Sequence, residues 1–130
     1  MLLGTQKGRV LFLSASYGGS VHDKAIVDEE GWQFPPGIVL HQDLGFKGFA
    51  PVGVGVQMPH KKPRTRELTE VQQIENKQKA AIRVKIEHII GKVKVYRIVK
   101  DRIRMVGQNI KDLVMELACA LHNFKCYYKT

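Results

Sequence analysis

The chain has 130 residues, enough for one domain with a hydrophobic core of its own. Hydrophobic residues make up 44% of it and charged residues 25%, a balance that excludes disordered and fibrous classes. No apolar run approaches the roughly 20 residues that span a bilayer, which argues against a membrane protein. Two cysteines form no disulfide framework, and the start lacks a secretion-signal layout, so we expect a cytoplasmic location.

The net charge of +9 is concentrated in the second half of the chain. Residues 1–60 carry four Lys or Arg and five Asp or Glu, whereas residues 61–130 carry seventeen and seven. Such an asymmetry favours binding to a polyanion, most plausibly nucleic acid. A basic surface that only confers solubility is the alternative, and charge alone does not separate the two.

The first half of the chain predicts mainly short strands. Alternating apolar residues predict a hairpin over residues 1–16, and Ser20 is a candidate cap for a short helix over residues 21–27. Residues 38–40 predict a buried strand, and the alternation in residues 52–58 predicts another. Residues 38–58 are therefore predicted to contain two strands, with the acid Asp43 between them.

From residue 66 to residue 124 the apolar residues follow helical spacing. One helix begins near Glu67 and bends or ends near Gly91, and residues 92–104 are ambiguous between helix and strand. The clearest amphipathic helix carries its apolar residues at Val106, Ile110, Leu113, Val114, Leu117, Leu121 and Phe124. The order of elements predicts an α/β domain with helices packed on a sheet.

Two acids in this layout are candidates for metal chemistry. Asp43 directly follows a buried strand, and strand ends are where sites form in open α/β sheets. Glu87 lies on the basic helix between Arg83 and Lys94, which helical geometry brings to nearly the same side. Two carboxylates from different elements, surrounded by cations, suit Mg²⁺ or Mn²⁺ bound together with phosphate. A solvated turn residue and a surface salt bridge are the alternative interpretation.

Cys119, His122 and Cys126 are spaced like zinc ligands along one helix. Three ligands on one helix make a poor structural zinc site, which normally has four. We therefore expect Cys119 to lie in the core of the helix packing.

Four stretches, in this order, resemble a known family. They are Gly-Ser-Val-His-Asp-Lys at 19–24, Asp-Leu-Gly-Phe-Lys-Gly-Phe at 43–49, Pro-His-Lys-Lys-Pro-Arg at 59–64 and the helix at 83–94. The chain resembles the DDE superfamily of bacterial insertion-sequence transposases. The resemblance is to the C-terminal part of the catalytic domain of that family, and it extends over nearly the whole chain.

The most specific part of the resemblance is the pattern of Arg83, Glu87 and Lys94, separated by three and six residues. Ala80 stands where this family often has a tyrosine, so one element of the fuller pattern is missing.

The resemblance implies an RNase H-like fold, a mixed sheet with flanking helices, in which three acids surround two Mg²⁺ or Mn²⁺ ions. Asp43 matches the second acid and Glu87 the third, so both are expected to be catalytic metal ligands. The implied partner is DNA at the transposon ends. The residues expected to contact it are Lys61, Lys62, Arg64, Arg83, Lys85 and Lys94.

The first acid of this family has no counterpart here, because no Asp or Glu precedes Asp23. The chain resembles a catalytic domain that lacks its first, central strand and the acid on it. Asp23 is a weak substitute, since the family has both this His-Asp motif and a separate first acid, and we expect it to act at a helix N-terminus. Residues 1–130 are accordingly expected to be a partial catalytic domain, marginally stable and inactive by itself.

Three interpretations of function follow. The chain is an incomplete fragment of a metal-dependent transposase, or a non-catalytic DNA-binding remnant or regulator of the full-length enzyme. In the third, a transposase polypeptide encoded upstream supplies the first strand and acid in trans.

Overall fold

A computed structural model of the chain describes residues 1–100 and 107–129. These residues have a mixed α/β fold with two two-stranded sheets and four α-helices, as the α/β prediction requires. They divide into two compact units. The central unit is residues 19–84, and the terminal unit is residues 1–18 with 85–130.

A hairpin opens the terminal unit. Strands β1 (Leu2–Gly4) and β2 (Val10–Leu13) pair antiparallel, with Leu2 opposite Leu13. Asn123 lies against the free edge of β2, where its side chain accepts a hydrogen bond from the Val10 N–H at 2.8 Å and donates one to the Val10 carbonyl at 2.7 Å. These bonds satisfy strand-edge groups that would otherwise be unpaired.

The core of the terminal unit joins this hairpin to two helices, α2 (Glu70–Val93) and α4 (Gln108–Tyr128). Its buried apolar members are Val10, Ile89, Val93, Ala118 and Cys119. Burial raises the pKa of the Cys119 thiol, which agrees with the predicted place of Cys119 in the core.

Gly4 lies where β1 approaches α2. A Cβ at this position would stand 2.7 Å from the Cδ1 atoms of both Ile86 and Ile89. A larger residue at this position would therefore force the ends of both isoleucine side chains to shift.

Helix α2 runs through Gly91 and ends at Val93, so the predicted bend or end at Gly91 is wrong. A Cβ at Gly91 would meet no other atom within 4 Å, so a side chain could be accommodated there. The ambiguous stretch that follows includes a short helix, α3 (Arg97–Lys100). Residues 101–104 of that stretch and Val106 lie outside the described residues.

The apolar face predicted for the last helix does not face the core. Leu113, Leu117 and Phe124 expose 60% or more of their surface. The buried positions of α4 include Ala118, Cys119 and His122 on the other side of the helix, and His122 Nε2 hydrogen-bonds the Gly8 carbonyl at 2.7 Å. The small residues Ala118 and Cys119 are buried in the core because this side of α4 lies close to the hairpin.

In the central unit, helix α1 (Asp23–Glu30) buries Ile26 and Val27. His22, not Ser20, occupies its cap position, and its side chain makes no capping hydrogen bond. Gly31 follows the last residue of the helix and has a left-handed φ of 60°. Its N–H donates a hydrogen bond to the Val27 carbonyl.

Strands β3 (Val39–His41) and β4 (Gly55–Gln57) of the central unit pair in parallel, with His41 opposite Gln57. β4 is shorter than the strand predicted over residues 52–58. The prediction of a buried strand is also wrong, because Val39 is 56% exposed. Within the described residues β3 has β4 as its only strand neighbour, so this sheet has no interior strand.

In the described part of the chain, none of the helices has both the length and the apolar character needed to cross a membrane.

Candidate active site and nucleic-acid interface

Asp43 lies just beyond the carboxyl end of β3, in the central unit. Its carboxylate Oδ1 accepts a hydrogen bond of 2.7 Å from the Leu44 N–H and so caps a single 3₁₀ turn (Leu44–Phe46). The cap fixes the backbone on which the carboxylate stands. The ends of parallel strands are the usual place for a site in α/β proteins.

Arg83 of α2 approaches the same carboxylate. Its Nη1 lies 3.6 Å from Asp43 Oδ1, and the two side chains are 50% and 55% exposed. An ion pair this exposed adds little to stability, typically about 0–1 kcal/mol. Its importance is positional, because it shows that α2 presents a cation to the acid at the end of β3.

Asp43 offers a carboxylate of the kind that hard divalent cations bind. The hydrogen bond and the ion pair both engage Oδ1, and none of the described residues hydrogen-bonds Oδ2. Across residues 1–100 and 107–129, however, no three His, Cys, Asp or Glu side chains gather in a metal-holding group. Asp43 thus fits the role of one ligand, and the described residues do not form a complete site.

Asp23 lies against the turn that Asp43 caps. Its Oδ2 is 2.6 Å from the place where a Cβ of Gly45 would stand. A side chain at position 45 would therefore displace either Asp23 or the turn. This contact belongs to the packing of α1 on the 3₁₀ turn, in keeping with the structural role predicted for Asp23.

The other predicted residues of the basic helix belong to the terminal unit. Glu87 and Lys85 are exposed residues of α2, and Glu87 follows Arg83 by four positions, about 40° around the helix. Lys94 is also exposed and lies just beyond the end of α2, where its N–H still bonds the Ile90 carbonyl at 2.9 Å.

The basic loop, residues 59–64, is held on α2 within the central unit. The Asn76 side chain accepts a hydrogen bond from the His60 N–H at 2.7 Å and donates one to the His60 carbonyl at 3.0 Å. Glu75 bonds the His60 ring, and Lys79 Nζ donates to the Met58 carbonyl at 2.8 Å. The sequence alone did not single out these anchors, although their i, i+1, i+4 spacing places them together on one side of a helix.

The anchored loop presents Lys61, Lys62 and Arg64 to solvent. Lys62 Nζ lies 2.5 Å from the Glu67 carboxylate, so part of its charge is already compensated. A fixed loop with exposed cations suits contacts to a phosphate backbone, which position a nucleic acid without reading its sequence.

The hydrogen bond from His60 holds the pKa of Glu75 below its ordinary range. A lowered carboxyl pKa stabilises the fold above the unfolded-state value of about 4.3, and that stability is lost as pH falls through the folded-state pKa. Glu75→Gln should therefore lower the melting temperature at pH 6 but not in acid, where wild-type Glu75 is itself protonated. Thermal melts followed by circular dichroism at both pH values test this.

Glu116→Gln, at an exposed acid in the middle of α4, is the control and should show no such convergence. A Glu75→Gln effect that stays constant down to the acid limit would contradict the assignment.

A cleft of about 320 Å³ lies beside this anchor in the central unit, at the ends of β3 and β4. It is lined by His41, Gln57, Glu75, Gln78, Lys79 and Ile82. Two of its lining residues, Glu75 and Lys79, also hold the basic loop.

Comparison with known proteins settles the family. The family model described as DDE superfamily endonuclease matches residues 1–123. The chain belongs to the DDE superfamily of endonucleases. Members of this family generally depend on divalent metal ions, and its transposases act on DNA.

One curated relative of this DDE superfamily chain is a probable transposase for insertion sequence element IS702 from Microchaete diplosiphon. The two are 24% identical over 111 residues, which is 85% of this chain and 40% of the relative. The chain thus spans less than half the length of that protein. No solved structure is significantly similar to this chain, residues 1–130.

Proposed function

We propose that the chain is the part of a DDE transposase catalytic domain that carries the second and third acids, Asp43 and Glu87. In this proposal the complete domain has an RNase H-like fold and cleaves and joins DNA strands at transposon ends, in the cytoplasm. The observation that carries the proposal is Asp43 itself, which stands exposed at the end of a parallel strand with Arg83 beside it. Membership of the DDE superfamily supports the same assignment.

In this proposal Asp43 and Glu87 each donate carboxylate oxygens to Mg²⁺ or Mn²⁺. Such a metal supplies polarisation of a phosphoryl oxygen and activation of the attacking hydroxyl. Arg83 pairs with Asp43 and orients its carboxylate, and the cations of the basic loop, with Lys85 and Lys94, hold the DNA backbone. In this proposal residues 1–130 supply two of the three acids, since no Asp or Glu precedes Asp23 within them.

Metal binding tests the two acids without requiring activity. Titration of Mn²⁺, followed by electron paramagnetic resonance of the free ion, should give an affinity that falls at least about 10-fold in Asp43→Asn and in Glu87→Gln. The estimate is conservative, because even loss of a partner behind a metal ligand typically costs 10–100-fold. Glu70→Gln, at an exposed acid on α2, should leave Mn²⁺ binding unchanged. Equal Mn²⁺ affinity in all variants would refute the assignment.

A second candidate function is a DNA-binding remnant or regulator without catalysis. The anchoring of the basic loop favours it, since Glu75, Asn76 and Lys79 hold that loop without using Asp43 or Glu87. DNA binding that survives both Glu87→Gln and EDTA, with no cleavage, would select this function. Nicking of a supercoiled plasmid in Mn²⁺ that Glu87→Gln abolishes would select the enzyme.

The third arrangement supplies the missing acid in trans. An open reading frame upstream that encodes a strand with an Asp would be its source. Nicking that needs both polypeptides, and also needs Glu87, would establish it.

A further inference from the structure

Helix α4 carries a second apolar face in addition to the one that packs in the core. Five large side chains spaced by three or four residues are 43–67% exposed, and helical geometry places them within about 80° of one another. They form the α4 stripe, which consists of Leu113, Leu117, Leu121, Phe124 and Tyr128. The stripe lies opposite the buried face that carries Cys119 and His122.

The α4 stripe is large enough to be an interface core. A buried aromatic side chain covers 150–250 Å², so Phe124 and Tyr128, each more than three-fifths exposed, present about 100–150 Å² apiece. With the three leucines the stripe offers on the order of 500 Å², at the upper end of the patches found on monomers. A standard interface buries about 800 Å² on each partner, of which the stripe would form the central part.

The chemistry of the stripe indicates a protein partner. None of its members is charged, whereas a nucleic acid or an anionic membrane would select Lys and Arg along the helix. The nearby cation Lys125 already lies over the Tyr96 ring, with its Nζ 5.0 Å from the ring centroid. The rings of Phe124 and Tyr128 pack with their centroids 4.6 Å apart and their planes inclined at 50°, which gives the stripe a preformed aromatic end.

The order of residues along the stripe fits a second copy of the same helix running in the opposite direction. About a midpoint between Ala120 and Leu121, Leu113 falls opposite Tyr128 and Leu117 opposite Phe124. Large residues thus meet at both ends, while the small Ala120 lets the helices approach at the crossing. Such a surface is self-complementary, as a two-fold interface requires.

Charge favours the same direction. In an antiparallel pair the two Glu116 side chains are nine residues apart along the axis, about 14 Å, which exceeds the screening length of about 8 Å at physiological salt. In a parallel pair they would stand at the same level. We propose that the α4 stripe is the interface of a homodimer in which two α4 helices pack antiparallel.

The oligomeric state of the full chain tests this proposal. Sedimentation equilibrium between 1 and 100 µM should show a dimer, and Leu117→Glu should raise its dissociation constant at least 100-fold. Val71→Glu is the matched control, since Val71 is 65% exposed on α2 and should leave the dimer intact. A wild-type monomer at 100 µM, or a dimer that Leu117→Glu does not weaken, would overturn the proposal.

Cross-linking tests the direction and does not depend on a disruptive variant. In a Cys126→Ser background, Ala120→Cys should link to its own copy through a short bis-maleimide, because the two positions are adjacent at the midpoint. Leu113→Cys should not link to itself, since its copy is about 22 Å away along the axis. A mixture of Leu113→Cys and Tyr128→Cys chains should link. Self-linking at position 113, or none at position 120, would contradict the antiparallel pair.

Discussion

Alanine at both Lys61 and Arg64 should weaken binding of duplex DNA by about 30-fold at 0.15 M salt. Each phosphate contact contributes about 0.9 to the slope of log affinity against log salt, so losing two should make the slope shallower by about 1.8. The expectation depends on the fixed position of the loop, whose backbone Asn76 holds through both polar groups of His60. Fluorescence anisotropy with a labelled duplex at several salt concentrations measures both quantities.

The matched control removes two cations from elsewhere on the chain. Lys7→Ala with Lys129→Ala lowers the net charge equally, at two exposed residues of the terminal unit. It should change the affinity by no more than a few-fold. An equal loss in both double variants would mean that total charge, not the basic loop, determines binding.

Lys62 should contribute less than its neighbours because it is paired with Glu67. Alanine at Lys62 should therefore cost less DNA affinity than alanine at Lys61. Glu67→Gln should increase the affinity, since it releases the Lys62 ammonium to contact phosphate. The same anisotropy measurement, extended to these variants, tests this. An unchanged affinity in Glu67→Gln would show that the Glu67 carboxylate does not compete with DNA for Lys62.

Ile89→Ala should lower the free energy of unfolding by about 2–5 kcal/mol, the range for removing a large aliphatic side chain from a core. Ile89 is 2% exposed and packs in the cluster formed by Val10, Val93, Ala118 and Cys119. Domains typically have only about 5–15 kcal/mol of stability, so this loss would remove a substantial part of the total. Urea denaturation followed by circular dichroism gives the value.

Ile74→Ala is the control for the same substitution on the same helix. Ile74 is 57% exposed, and substitutions at such surface positions usually change stability by less than about 0.5 kcal/mol. The two variants differ in burial and share their effect on helix propensity. Equal losses would show that Ile89 does not lie in the core.

Helix α2 illustrates how far the sequence goes in predicting the fold. Apolar spacing from residue 67 onward predicts a long helix, and the structure has one over Glu70–Val93. The same spacing does not separate Val71 and Ile74, which are exposed, from Ile89 and Val93, which are buried. Periodicity is a local property, and burial depends on whichever elements arrive from elsewhere in the chain.

The candidate site was likewise predicted from the sequence only in part. Asp43 and Glu87 were predicted from residue types and spacing, and the cations expected to contact DNA from the resemblance to the family; these roles stay predictions. The proximity of Arg83 to Asp43 and the three anchors of the basic loop join residues that are 15–40 positions apart. No local pattern encodes such pairs, because they depend on the docking of α2 against the ends of β3 and β4.

By itself the sequence determined the α/β class, the helical and strand periods and the chemistry offered at residues 43, 59–64 and 83–94. Only the tertiary structure decided which side of each element is inside. Helix α4 shows the reason most clearly: its large apolar residues form one face, yet hydrogen bonds from His122 and Asn123 to Gly8 and Val10 hold the opposite face against the hairpin. Those contacts join residues more than 110 positions apart, so the choice of the buried face depends on packing between distant parts of the chain. The apolar face that stays exposed is available to a partner.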